Sequence, residues 1–194
     1  AIDGLIAFYQ VSFEKEWLDK ANELCSTVLN EFHDEQSQMF FYTSTANQLI
    51  ARKMEINDNV LPSSNSVMAR NLFYLGQLYY KPEFIKIAHQ QLANIYDGME
   101  QYGSGYSNWG MLLLDVTRDF YQVAILGDQA LEKSRELQKY YLPNVIFAGG
   151  LSANLPMLQD KESAENTTIF VCYDGTCLLP TTDVKAALQM IMHK

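Results

Sequence analysis

Residues 120–150 read FYQVAILGDQALEKSRELQKYYLPNVIFAGG, and the fold class turns on this stretch because the hydrophobic period changes inside it. Phe120 to Leu126 is a strand-like run ended by Gly127-Asp128, Gln129 to Tyr140 is amphipathic at helical spacing, and Val145 to Ala148 is a second short apolar run stopped by Gly149-Gly150. Strand, helix, strand is the βαβ pattern, in which a crossover helix joins two parallel strands. Downstream, Thr167 to Tyr173 is another β-rich run, and Asp183 to His193 closes the chain as a helix with Val184, Ala187, Leu188 and Ile191 on one face. Residues 120–194 are therefore expected to form a small α/β subdomain.

Upstream the pattern is helical. Trp17, Leu18, Ala21, Leu24, Cys25, Val28, Leu29 and Phe32 form one stripe, opposite Glu16, Lys20, Glu23 and Asn30, so this segment is a surface helix. Val67 to Tyr80 is apolar around most of its circumference, which requires neighbours on nearly every side. Pro82 opens the next helix, striped by Phe84, Ile85, Ala88, Leu92, Ile95 and Met99, and a fourth helical segment runs from Tyr106 to Asp119. Between the helices, Met39-Phe40-Phe41-Tyr42-Thr43, a polar turn at Ser44 to Gln48, and Leu49 to Arg52 read as an inserted β-hairpin. Residues 1–119 are expected to be antiparallel helical hairpins. The apolar pattern of Ile2, Leu5, Ile6, Phe8 and Tyr9 is already helical with no Met before it, so an excised piece of a longer chain is expected. Faces left open by the missing helices would then be covered by a second copy, giving a homodimer.

Composition narrows the partners. The 194 residues carry 14 basic and 23 acidic side chains, a formal charge of −9, with 48% apolar and 19% charged residues. That balance supports a packed core and argues against disorder. An acidic chain without a basic patch is repelled by phosphate backbones and anionic headgroups, so neither nucleic acid nor a membrane surface is an expected partner. With no uninterrupted apolar run of about 18 residues, neither a membrane span nor a signal peptide is expected, and the expected location is cytoplasmic.

The densest set of polar functional groups is the loop from Arg52 to Ser66. Asp58 and Glu55 are the candidate catalytic acid and base, Arg52 and Lys53 can hold an anionic group, and Ser63, Ser64 and Asn65 can bind the hydroxyls of a sugar-like ligand. The competing structural reading makes Asp58-Asn59 a turn and Ser64 or Asn65 the N-cap of the buried helix. Cys25 sits on an apolar stripe as a small buried hydrophobe. Cys172 and Cys177 flank Tyr173-Asp174-Gly175-Thr176, and if Asp174-Gly175 is a two-residue turn they face each other. A disulfide and half of a metal site are both open. Their spacing is not Cys-x-x-Cys and no second ligand pair is found, so reduced thiols and no metal are expected. His33, His89 and His193 share no metal-ligand spacing and are expected in structural or exposed roles. Asp115, Arg118 and Asp119 are expected to form a solvated ion pair at a helix end. Asn166-Thr167-Thr168 matches a glycosylation acceptor, a signal without meaning unless the chain is secreted. With no Gly-rich phosphate loop, nucleophile elbow or two-histidine metal motif, no cofactor is expected.

Met39-Phe40-Phe41-Tyr42-Thr43, then Arg52-Lys53-x-Glu55-x-x-Asp58-x-x-x-Pro62-Ser63-x-Asn65-Ser66, and the late Val171-Cys172-x4-Cys177-x-x-Pro180-x-Thr182 together resemble the carboxy-terminal part of the spermatogenesis-associated, thioredoxin-domain-containing protein family. The resemblance covers most of the chain in the same order. It implies a mainly α fold, an incomplete (α/α) toroid similar to N-acylglucosamine 2-epimerase and the six-hairpin glycosidases, with the inserted β-hairpin and a small terminal α/β piece. It also implies that a thioredoxin-like domain and earlier helical hairpins belong to the same parent chain. The function implied is that of a carbohydrate-related enzyme fragment with its site at the inner-loop end of the toroid. The alternative is a noncatalytic scaffold for the thioredoxin-like domain. No histidine of this sequence matches the epimerase catalytic histidines.

Overall fold

The computed structural model describes residues 1–46, 51–161 and 166–192. Helices α1 (Ile2–Ser12), α2 (Lys15–Phe32), α3 (Ser64–Tyr79), α4 (Pro82–Gln101) and α5 (Ser107–Thr117) precede the sheet. Then come β1 (Tyr121–Leu126), α6 (Ala130–Leu137), β2 (Val145–Gly150), β3 (Thr168–Tyr173), β4 (Thr176–Cys177) and α7 (Val184–Met192). His193 lies outside the described residues.

The chain stops each helix by local means. Phe13 and Tyr80 adopt the left-handed conformation just after α1 and α3, and each donates its backbone N–H or its neighbour's to the closing turn: Phe13 N–H to Tyr9 O at 2.7 Å, Lys81 N–H to Gly76 O at 3.0 Å. The short link through Tyr80 and Lys81 then folds α4, begun by Pro82, back onto α3. Helix α3 is buried along most of its length, as its all-round apolar pattern requires.

The four strands lie in the order β2-β1-β3-β4. Strands β1 and β2 are parallel, Tyr121 opposite Val145 through Leu126 opposite Gly150, joined by α6. Strand β3 runs antiparallel to β1 with Gln122 opposite Cys172, and β4 antiparallel to β3. Alternating side chains separate two apolar clusters. Ala124, Leu126, Ile146, Ala148, Phe170 and Cys172 face the helical layer and join one core with Tyr9, Leu72, Leu75 and Leu78. Tyr121, Val123, Ile125, Phe147, Ile169 and Val171 face the other way, under Ala130, Leu137, Val184, Ala187 and Ile191.

This arrangement corrects the expected incomplete (α/α) toroid with its mainly α class. Among the described residues the helices do not ring a central axis. They lie on one face of a mixed sheet, share its core, and leave α6 and α7 to cover the second face. The physical reason is the sheet itself: every residue of β1 except Gln122 is buried, so both faces need cover, and the helices share one core with it on the first face.

The first arm of the expected inserted hairpin is corrected too. In place of a strand over 39–43 there are single antiparallel bridges, His33 with Phe40 and Phe41 with Met54. Leu49 and Ile50 lie outside the described residues. Phe40 needs no partner strand, because the Asn65 amide accepts its N–H at 2.7 Å and donates to its carbonyl at 2.9 Å.

Candidate functional site

The loop from Arg52 to Ser66 folds around one buried carboxylate. Asp58 is 5% exposed. Its Oδ1 accepts from the Ser63 N–H at 2.9 Å and the Ser66 hydroxyl at 2.6 Å, and its Oδ2 accepts from the Asn108 N–H at 2.8 Å. Those amides stand at the starts of α3 and α5, where helices leave N–H groups unpaired and carry partial positive charge. One carboxylate therefore ties two helix N-termini together. Ser63, the N-cap of α3, accepts the Ser66 N–H at 3.1 Å and donates to Ile56 O at 2.8 Å.

Other residues of the loop are likewise bonded within the protein. Asn65 is fully buried, and beyond Phe40 its amide donates to Glu55 O at 2.9 Å. Arg52 donates to Thr43 O from Nε at 3.1 Å and from Nη2 at 2.6 Å, with its guanidinium carbon 4.0 Å from the centre of the Phe41 ring. Glu55, exposed, reaches the Ser64 N–H at 3.5 Å. Lys53 is exposed, and its backbone carbonyl accepts the Tyr42 N–H at 2.7 Å. Asp58, Ser63, Ser66 and Asn108 are thus brought together, while Arg52 and Lys53 lie with the 41–43 segment.

From Asp58 a chain of hydrogen bonds crosses the helical layer. The Ser66 hydroxyl accepts from Asn108 Nδ2 at 2.9 Å, Asn108 Oδ1 accepts from Arg70 Nη1 at 3.1 Å, and Arg70 Nη2 donates to Tyr74 Oη at 2.9 Å. Tyr74 Oη in turn donates to Asp115 Oδ2 at 3.0 Å. Burial pushes the Asp115 carboxyl up to about 6, against the opposing pull of the Tyr74 hydrogen bond and the Arg70 charge. Burial also raises the Tyr74 phenol, to about 12. The expected solvated pairing of Asp115 with Arg118 is therefore corrected: Asp115 is buried on Tyr74, whereas Arg118 is exposed beyond the end of α5.

Asp115 opens onto a cavity of about 480 Å³ whose wall includes Phe73, His89, Arg118, Phe120 and Tyr173. Phe73 and Phe120 meet edge to face at 5.0 Å, Phe120 stacks on Tyr74 at 5.9 Å, and His89 lies over Phe73 at 6.4 Å. The wall is completed by Asp174 and Gly175, the tip of the β3–β4 turn. The sequence reading missed Arg70, Tyr74 and Asn108. The signal was available, since Arg70 and Tyr74 stand four apart on a helix otherwise apolar around its circumference, and buried polar groups there demand partners.

The two cysteines of the turn are bonded, which corrects the expectation of reduced thiols at Cys172 and Cys177. Asp174 and Gly175 take φ of 48° and 71°, the left-handed values of the tight hairpin turn for which the Asp-Gly pair is suited. That register sets Cys172 opposite Cys177 with Cα atoms 3.8 Å apart. Cys25 is buried and free, its thiol raised by burial to about 12. Among the described residues no group of three or more His, Cys, Asp or Glu is placed to hold a metal ion, and no helix is long and apolar enough to cross a membrane.

No family model matches the chain. Two curated relatives do. The chain is 27% identical to spermatogenesis-associated protein 20 of Homo sapiens, over 99% of this chain and 26% of that protein. It is 25% identical to the Mus musculus protein of the same name, over 100% of this chain and 26% of that protein. The chain thus spans about a quarter of the length of the curated relatives it matches. Weak similarity along nearly its whole length supports the family that its sequence motifs resemble.

Proposed function

We propose that this chain contributes to a larger protein a site for a small hydroxylated, sugar-like ligand, seated in the cavity between Phe73, Asp115, Phe120 and the β3–β4 turn. The observation that carries the reading is the make-up of the wall: the rings of Phe73, Phe120 and Tyr173 beside a buried carboxyl and an imidazole, in a volume of about 480 Å³. Ligand sites are typically of that size, and the many polar side chains of this wall, Gln77, His89, Asp115 and Gln122 among them, suit a hydroxylated ligand. Ring faces pack against the C–H surfaces of a sugar while the carboxyl bonds its hydroxyls. Asp115, with its carboxyl held near 6, is the group suited to exchange a proton near neutral pH. The reading moves the site away from Asp58 and Glu55. Three internal hydrogen bonds to Asp58 support a structural task for that carboxylate instead. The same saturation favours the second reading, a noncatalytic interaction region of the parent protein.

The test is an amide-detected NMR titration with glucose, mannose, glucosamine and N-acetylglucosamine. Shifts gathered at Phe73, His89, Phe120 and Tyr173, lost in Phe120→Ala and kept in Glu55→Gln, are the expected result. Silence across the panel, in this chain and in the full-length parent, overturns the sugar reading in favour of the interaction region.

A further inference from the structure

We propose that the Cys172–Cys177 disulfide is a reversible clasp controlling how closely the β3–β4 turn covers the cavity. The proposal rests on the ligand-site reading for its consequence, though its mechanics can be measured without a ligand. The turn is itself cavity wall, with Tyr173, Asp174 and Gly175 all lining it. At the tip itself, Asp174 and Gly175, the disulfide is the covalent closure of a short pairing. Strand β4 has two residues, pairing Cys172 with Cys177 and Tyr173 with Thr176; beyond it Leu178 N–H reaches Val171 O at 2.9 Å and Ile169 and Thr181 exchange bonds at 2.7 and 3.0 Å, while the Tyr173 ring lies 5.7 Å from that of Tyr121. Both tip residues hold positive φ, which Gly175 accepts freely and Asp174 only at some cost.

The two sulfurs have unlike surroundings. Cys172 is buried in β3, opposite Gln122 of β1, whose side chain donates to Gln77 of α3 at 2.5 Å. Gln122 and Gln77 line the same cavity. One end of the clasp is therefore built into the cavity frame, and the other, Cys177, is exposed. A dithiol reductant would attack at Cys177: its thiolate forms a bond to Cys177 Sγ, the Cys172–Cys177 bond breaks, and Cys172 leaves as a thiolate that takes up a proton. The second thiol of the reductant then closes its own disulfide and releases Cys177. Two electrons and two protons pass to the protein, and the reductant is oxidised. Without its covalent closure the tip is held by the two-residue pairing alone, so that pairing opens more often and the turn moves from the wall formed by Thr117 to Phe120.

Hydrogen exchange read by mass spectrometry tests this on the chain in its oxidised form, after reduction by a phosphine, and after reoxidation. Cys177→Ala removes the bond at the exposed partner and stands for the reduced state. Exchange roughly tenfold faster in both 173–178 and 117–122, reversed on reoxidation and absent from α2, is the expected result. Faster exchange confined to 173–178 overturns the link to the cavity, and no change anywhere overturns the clasp. N-acetylglucosamine is titrated into both forms in parallel, with weaker binding expected after reduction. Equal affinity in the two forms overturns the control of binding. No binding to either form overturns the ligand reading alone, and the exchange pattern still judges the clasp.

Discussion

Replacing Asp58 tests whether the densest polar loop serves structure or chemistry. The carboxylate accepts three hydrogen bonds, two of them from amides that begin α3 and α5. A hydrogen bond to a charged group contributes about 1.5 to 3 kcal/mol, and such contributions do not add when they share one acceptor. Asp58→Ala leaves the Ser63 and Asn108 amides buried and unpaired, and the loss should be about 4 kcal/mol, in the range seen when one partner of a buried charged network is removed. Asp58→Asn keeps one accepting oxygen but turns an NH2 group toward a donor, and should cost about 2 kcal/mol. The assay is equilibrium unfolding in urea, followed by far-ultraviolet circular dichroism and by the fluorescence of Trp109, which is buried beside the loop with Nε1 donating to Ile56 O at 2.9 Å. For a slope of about 2 kcal/mol per molar, Asp58→Ala should lower the midpoint by about 2 M. Asp58→Asn within about 0.5 kcal/mol of the native protein, with ligand binding or parent activity lost, would show that the carboxylate works on a substrate and is no structural tie.

Three further outcomes are expected. Because the Asp115 carboxyl is raised from 3.8 to about 6, the folded state holds a proton that the unfolded state has released, so stability should fall as pH rises from about 4 to about 6 and level off above that. Asp115→Asn should flatten this slope, worth on the order of 1 kcal/mol after solvent screening, in melts taken across that range. Tyr74→Phe removes the hydrogen bond that holds the carboxyl down, so carbon-detected NMR of Asp115 should give a still higher midpoint. Two glycine replacements should act in opposite directions on the melting temperature. Gly4→Ala sits in α1 with nothing within 4 Å of an added Cβ and should stabilise by about 0.5 to 1 kcal/mol. At Gly76 the added Cβ would lie 2.5 Å from Ile85 Cγ1, and Gly76→Ala should cost about 1 to 3 kcal/mol.

Elements whose evidence is local were legible in the sequence. The stripe of Trp17 to Phe32 gave α2, Pro82 marked the start of α4, and Asp174-Gly175 marked a two-residue turn. The parallel β1–β2 pair followed from strand, helix, strand. What failed depended on partners distant in sequence. The toroid was implied by the family resemblance, and the helical stripes could not check it, since nothing in a stripe says whether its partner is another helix or a sheet face. The strand expected over 39–43 does not form because the backbone groups of Phe40 are satisfied by Asn65, 25 residues away. At the candidate site, capping chemistry for Ser63 was legible, whereas the second helix tied by Asp58 was not, since Asn108 lies 50 residues further along the chain. The thiols are the local exception: the turn that sets Cys172 opposite Cys177 was legible, and their spacing, unlike that of a redox motif, was the wrong guide to the bond.

Asn65 has one more consequence. By supplying an acceptor and a donor to the same residue, its amide does for Phe40 what a neighbouring strand would do, at a single point rather than along a ladder. A ladder fixes how many residues can separate its two arms, because each inserted residue shifts the register. A point attachment imposes no such count. The connection between Phe41 and Met54, bridged at its base by that pair, is accordingly where a tag or reporter peptide should be spliced in with the helical layer undisturbed.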